Sequence, residues 1–205
     1  MKRIFLSCTL FIAMESFSQN TSEKISFSGG RSIVADSKDN LFVGLYDGMV
    51  KITPDGKSTI FISGNFFDFL TIDTDNNIYA IASRGNIIRK ITPDGKVIKL
   101  AGLNYNYSIV DGPLATANFR SLDFIAIDKR GNLFVLDAND PKPDEKFSNN
   151  VSYKTFLIRK INKEGIVSTI KDAVSKEKIW VERPEGLGID SSGNLYVSFS
   201  DQRCI

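Results

Sequence analysis

Five residues before each of four regularly placed aspartates stands a charged side chain. Arg31 precedes Asp36, Asp68 precedes Asp73, Asp123 precedes Asp128 and Glu185 precedes Asp190. Three carboxylates at one repeated offset are suited to a hard cation, since Ca²⁺ takes about six to eight oxygens, mostly from carboxylates and carbonyls. Asp68, Asp123 and Glu185 are therefore the weak candidate metal ligands and Ca²⁺ the candidate cation, and a solvated rim of charges is the plainer reading of the same residues. Arg31, Arg89 and Arg159 are the candidate ligand-binding cations. Arg89 and Arg159 recur before a Lys-Ile pair where Val50 breaks the series, and structural ion pairs account for them as well as an anion site does. Asp73-x-Asp75-x-Asn77 opens like an EF-hand loop but lacks the required glycine and distal glutamate. The other copies lack its acidic pattern, so it reads as a turn.

What the chain lacks narrows the chemistry further. The 205 residues contain no histidine, which removes Ser-His-Asp and Cys-His catalysis and histidine-rich zinc sites. No residue is assigned a catalytic role. Lys and Arg number 26 against 24 Asp and Glu, a formal charge of +2. That balance lacks the basic excess of a nucleic-acid binder.

The N-terminus reads as an export signal over residues 1–18. Lys2-Arg3 is a basic start, Ile4 to Met14 an apolar run, and Ser16-Phe17-Ser18 a small-x-small cleavage site. The run is too short to span a bilayer, which takes about 20 residues. The expected location is secreted or periplasmic. Only Cys204 remains beyond the leader, so packed sheets rather than an intrachain disulfide must hold the domain together.

The four aspartates belong to one phrase written four times: Val34 to Val43, Thr71 to Ala80, Ala126 to Val135 and Gly188 to Val197. An apolar strand runs into the aspartate, which opens a tight turn by accepting backbone N–H bonds. Three residues later come Asp39, Asn76, Gly131 and Gly193, types that tolerate a left-handed backbone. A second strand follows with its aromatic in step at Phe42, Tyr79, Phe134 and Tyr196. Third strands end Val50-Lys51-Ile52, Arg89-Lys90-Ile91 and Arg159-Lys160-Ile161, and Thr-Pro-Asp-Gly or Asn-Lys-Glu-Gly turns lead to fourth strands. Four antiparallel strands per unit, recurring every 37 to 62 residues, predict an all-β propeller.

On these residues the chain resembles the NHL-repeat family of propellers. Its third unit carries the likeness best, from Asp111-Gly112-Pro113 and Ala117-Asn118-Phe119 through Gly131-Asn132-Leu133-Phe134-Val135 to Ile158-Arg159-Lys160-Ile161. The resemblance implies a domain over 19–205, with repeats near 31–62, 67–102, 119–170 and 184–205. That makes about three full blades and a partial fourth, an open arc or fragment of a longer propeller. It implies a lone fourth strand at Ile25 to Ser28 and a polar insertion from Asn139 to Thr155. Gluconolactonase-like propellers resemble this scaffold and hold a metal at the channel with carboxylates. The histidine-dependent lyases that share the fold are disfavoured by composition.

The expected function is a non-enzymatic secreted module binding protein or carbohydrate on one face. A Ca²⁺-dependent lactonase or hydrolase at the channel mouth is the alternative, and an inactive fragment a third reading. No nucleic-acid partner and no membrane span are expected, and self-association through the open blade is.

Overall fold

The computed structural model describes residues 29–82, 86–102, 107–139, 155–182 and 184–199. The leader, the strand expected at 25–28, the interior of the 139–155 insertion and residues 200–205 lie outside the described residues. Those described form strands and turns without a helix. None forms a helix long and apolar enough to cross a membrane.

Each repeat is an antiparallel sheet. The first comprises β1 (Ser32–Ala35), β2 (Leu41–Leu45), β3 (Gly48–Ile52) and β4 (Ser58–Ser63); the second comprises β5 (Phe69–Ile72), β6 (Ile78–Ala82), β7 (Ile87–Ile91) and β8 (Val97–Ala101). In the third, β10 (Leu122–Ile127), β11 (Leu133–Asn139), β12 (Thr155–Ile161) and β13 (Ile166–Thr169) repeat the pattern. The fourth is the pair β15 (Pro184–Ile189) and β16 (Leu195–Phe199).

The third sheet departs from the expected four strands. β9 (Gly112–Pro113) pairs the outer edge of β13, and β14 (Trp180–Glu182) pairs β12. The second addition has a simple cause. β13 covers β12 only at Arg159–Ile161, so the backbone of Thr155–Leu157 is left for β14.

One hydrogen-bond pattern makes all four first turns. Asp128 Oδ1 accepts from the Arg130 and Asn132 N–H groups, and its Oδ2 accepts from Asn132 Nδ2 at 2.6 Å. Asp36, Asp73 and Asp190 repeat this with Asn40, Asn77 and Asn194. The left-handed residue is Asp39, Asn76, Gly131 or Gly193, with φ from 60° to 91°. The repeated Asp and Asn are thus turn-builders, and the EF-hand-like Asp73 spends its carboxylate on this turn.

Alternation along the strands buries one face of each sheet against the next. Phe42, Met49 and Ile62 pack on Phe67, Leu70, Ile78 and Ile91. Ile81, Ile88 and Ala101 pack on Phe119, Leu122, Ile125, Val135 and Ile161. Phe134, Leu136, Phe156 and Ile158 take Leu187, Ile189, Leu195 and Val197. The sheets therefore stack face to face as blades, with β1, β5, β10 and β15 lying side by side in that order as inner strands. Among the described residues the result is an arc of a β-propeller that does not close. Equivalent residues of all four inner strands, among them Val34, Thr71, Ala126 and Gly188, line an axial groove of about 350 Å³.

Candidate functional site

The charged positions lie at the starts of the inner strands, at the opposite end from the aspartate turns. Two backbone irregularities fall there. β10 shifts register between Asp123 and Ile125, leaving Phe124 as the extra residue, and β15 shifts between Pro184 and Gly186, leaving Glu185. Such bulges re-aim side chains and recur next to binding sites. Phe124 is held at φ 49°, a conformation that costs a bulky residue on the order of 1–3 kcal/mol. Its ring packs on Phe69, the equivalent residue of β5, with centroids 4.7 Å apart.

One residue before Phe69 in the chain is Asp68, whose side chain is only 4% exposed. Arg31 Nε lies 3.3 Å from Asp68 Oδ1, outside hydrogen-bonding geometry, so that oxygen has no hydrogen-bond donor among the described residues. Arg31 is half-exposed, donates to the Tyr46 hydroxyl at 2.7 Å and lies 5.1 Å from the Tyr46 ring centroid. Tyr46 in turn packs edge-on against Phe66. Burial pushes the Asp68 carboxyl above the usual carboxylate range; Arg31 pulls it down and the charge of Asp123 pushes it up. Arg31, Asp68 and Asp123 therefore share one electrostatic site.

Glu185 is exposed at the β15 bulge. Among the described residues no three of His, Cys, Asp and Glu are grouped to hold a metal, so Glu185 does not join Asp68 and Asp123 as a ligand set. Arg31 already supplies the positive charge beside Asp68.

Arg159 belongs to a different structure. It is wholly buried, with Nη1 donating to Asp137 Oδ2 at 2.7 Å and Nη2 donating to Asp111 Oδ1 at 2.8 Å and to the Val110 carbonyl at 3.0 Å. Its guanidinium also lies 5.2 Å from the Phe119 ring centroid. Asp137 accepts from the Arg120 and Ser121 N–H groups, and Asp111 from the Thr169 N–H and hydroxyl. Burial pushes the Asp137 carboxyl up, while Thr169 and Arg159 outweigh burial at Asp111 and hold it low. Every partner is structural, and the guanidinium is not open to a ligand. Arg89 stands at the same blade position, but the counterpart of Asp137 there is Ala82. Arg89 is half-buried, and its Nε has no partner among the described residues.

Sequence spacing located Arg31, Asp68 and Asp123 but missed Tyr46, Phe66, Phe69 and Phe124. Phe69 and Phe124 share the offset one residue after the charged positions, which was the available signal. Nothing in the sequence marks Phe124 as left-handed.

No protein family matches the chain, and no curated protein does. Solved structures do. A protein of unknown function from Bacteroides thetaiotaomicron aligns with a TM-score of 0.64 at 17% identity, over 85% of this chain and 44% of that one. An auxiliary nutrient binding protein from the same organism aligns at 0.57 and 14% identity, over 85% and 47%. A gluconolactonase from Xanthomonas campestris aligns at 0.60 and 13% identity, over 86% and 56%. The chain spans about half the length of these structures. At such identities the likeness shows the fold, a β-propeller.

Proposed function

We propose that this chain is an exported, NHL-type propeller module that binds a polar ligand, carbohydrate rather than protein, at the rim of its inner strands. The observation that carries this reading is the strained bulge at Phe124. A bulky residue in the left-handed region persists only where the surrounding structure over-determines it, and such residues cluster at ligand sites. Here the bulge brings Phe124 onto Phe69, and Asp123 and Asp68 stand one residue before them in the chain. Flat apolar rings next to a few fixed polar groups are the common make-up of a small-ligand site. A sugar offers both a C–H face for the rings and hydroxyl oxygens for the half-exposed Arg31 guanidinium. A nutrient-binding protein on the same fold supports the reading by analogy.

The Ca²⁺-dependent lactonase reading rests on the closeness of Asp68 and Asp123 and on the gluconolactonase that shares the fold. One experiment separates the two. Glucose, maltose and cellobiose are titrated into the full chain while the aromatic NMR signals of Phe69 and Phe124 are followed. Saturable shifts at these rings, weakened at least about fivefold by Arg31→Met (about 1 kcal/mol for a lost hydrogen bond), are expected. Unmoved rings together with Ca²⁺-dependent hydrolysis of gluconolactone would overturn the binding reading.

A further inference from the structure

Arg31 is held from two blades at once. Its backbone N–H donates to the Gly44 carbonyl of β2 at 3.2 Å, which fixes where the side chain starts. Tyr46, one residue past the end of β2, accepts from Nη2 on its hydroxyl at 2.7 Å, and its ring centroid lies 5.1 Å from the guanidinium carbon. From the second blade, Asp68 brings Oδ1 to 3.3 Å from Nε. Tyr46 is itself confined. A Cβ on Gly29 would stand 3.0 Å from its Cδ2, and Phe66 meets its ring edge-on with centroids 4.7 Å apart. The Phe67 N–H donates to the Leu45 carbonyl at 3.2 Å, tying the segment that carries Phe66 and Asp68 to the strand end that carries Tyr46. The Arg31 side chain is nonetheless 47% exposed, so the held guanidinium still faces solvent.

We infer that Asp68 and Tyr46 are positioning residues, which fix the Arg31 guanidinium in the orientation in which it meets a ligand, a role that rests on the rim site proposed above. Ordering a long side chain during binding costs affinity, and a guanidinium ordered beforehand does not incur that cost again. Asp68 is too deeply buried, at 4% exposure, to touch a ligand, so whatever it contributes reaches the ligand through Arg31. Tyr46 is half-exposed, and its hydroxyl is the part that engages Arg31 by hydrogen bond. The two grips differ in kind. Asp68 supplies charge at Nε, while Tyr46 supplies a neutral acceptor at Nη2 and a ring beneath the cation. The group that such a fixed donor selects is an acceptor oxygen.

The test uses the full chain, with glucose, maltose and cellobiose as probes, and reads Arg31 in two ways. Without sugar, the Arg31 Nε–H followed by ¹⁵N NMR should exchange with water faster in Asp68→Asn than in the parent chain, because the carboxylate that shields it is gone. With sugar, Asp68→Asn and Tyr46→Phe should each weaken binding about 2–5-fold. Neither should weaken it further in a chain that already carries Arg31→Met, since residues acting through one shared group are not additive. Asp68→Asn removes a buried charge and keeps the shape of the side chain, so lost binding in that variant does not reflect lost folding. Binding that Arg31→Met weakens but Asp68→Asn and Tyr46→Phe leave unchanged would overturn this inference and leave the rim site standing. Additive losses on the Arg31→Met background would also overturn it, because they mean direct contact or general loosening. Unchanged Nε–H exchange in Asp68→Asn would sink it with no ligand present. No saturable binding by the parent chain would remove the rim site, and these roles with it.

Discussion

Arg159 shows how a single buried charge can tie a blade to the segment that precedes it. The guanidinium joins Asp137 of β11 to Asp111 and Val110 near β9, and Asp111 is bonded in turn to Thr169 of β13. Removing one partner of a buried pair leaves the other charge uncompensated, at a cost of about 3–5 kcal/mol. Arg159→Met should therefore lower the free energy of unfolding by about that amount in urea titration. A double variant that also carries Asp137→Leu should recover part of the loss, because the fully buried carboxylate is then gone and the half-exposed Asp111 keeps its bonds from Thr169. Acid behaviour follows from two opposed groups of aspartates. At Asp36 and Asp128 the bonds from Asn40 and Asn132 outweigh burial and hold the carboxyls low, and at Asp190 the Asn194 bonds bring the value to about 2. Their contribution is present above the unfolded value near ~3.9 and is lost as pH falls through the depressed folded values. Asp68 has the opposite sign, since its folded value is raised, so its contribution is lost as pH rises through that value. Thermal melts should show the parent chain losing stability below about pH 4. Asp68→Asn should gain on the parent between that pH and neutrality, and a constant difference over that range would contradict the sign.

At the scale of strands, the Asp-to-Asn turns were legible because every bond in them is local. The aspartate, its left-handed residue and its asparagine lie within five consecutive positions. β9 and β14 were not legible, since pairings two and three residues long depend on which stretch of a distant edge is left open. The shared offset of the rim charges was readable. Which of them share a site was not, because that depends on bulges and on the reach of Arg31. The third and fourth strands of the first two blades carry a further irregularity, a register shift at Met49/Val50 and at Ile88/Arg89. Beside it the backbones close on a glycine. A Cβ on Gly102, which has φ +92°, would stand 2.1 Å from the Asn86 carbonyl oxygen. Gly56 has a similar φ of +87° but nothing within 4 Å of a Cβ. Gly102→Ala should accordingly destabilise by clearly more than about 1 kcal/mol, while Gly56→Ala should cost about the strain of a left-handed alanine alone. Equal losses for the two variants in chemical denaturation would mean that the carbonyl moves aside at little cost.

Across the whole molecule, stability should be graded rather than uniform, because among the described residues the main packing runs between neighbouring blades of the arc. In stacked repeats the free energy is a sum of unit terms and interface terms, so a unit with two interfaces is held more firmly than one with a single interface. β5–β8 are packed on both faces, by the first blade and by the third. The β15–β16 pair has one apolar face on the third blade and the other turned outward, where Tyr196 is exposed. A two-stranded sheet is marginal in water without such support. Native-state hydrogen exchange should therefore show amides of β15 and β16 opening at a lower free energy than those of β6 and β7. Uniform protection across all four sheets would show instead that the arc unfolds as one cooperative unit, with the interfaces rather than the blades setting its stability.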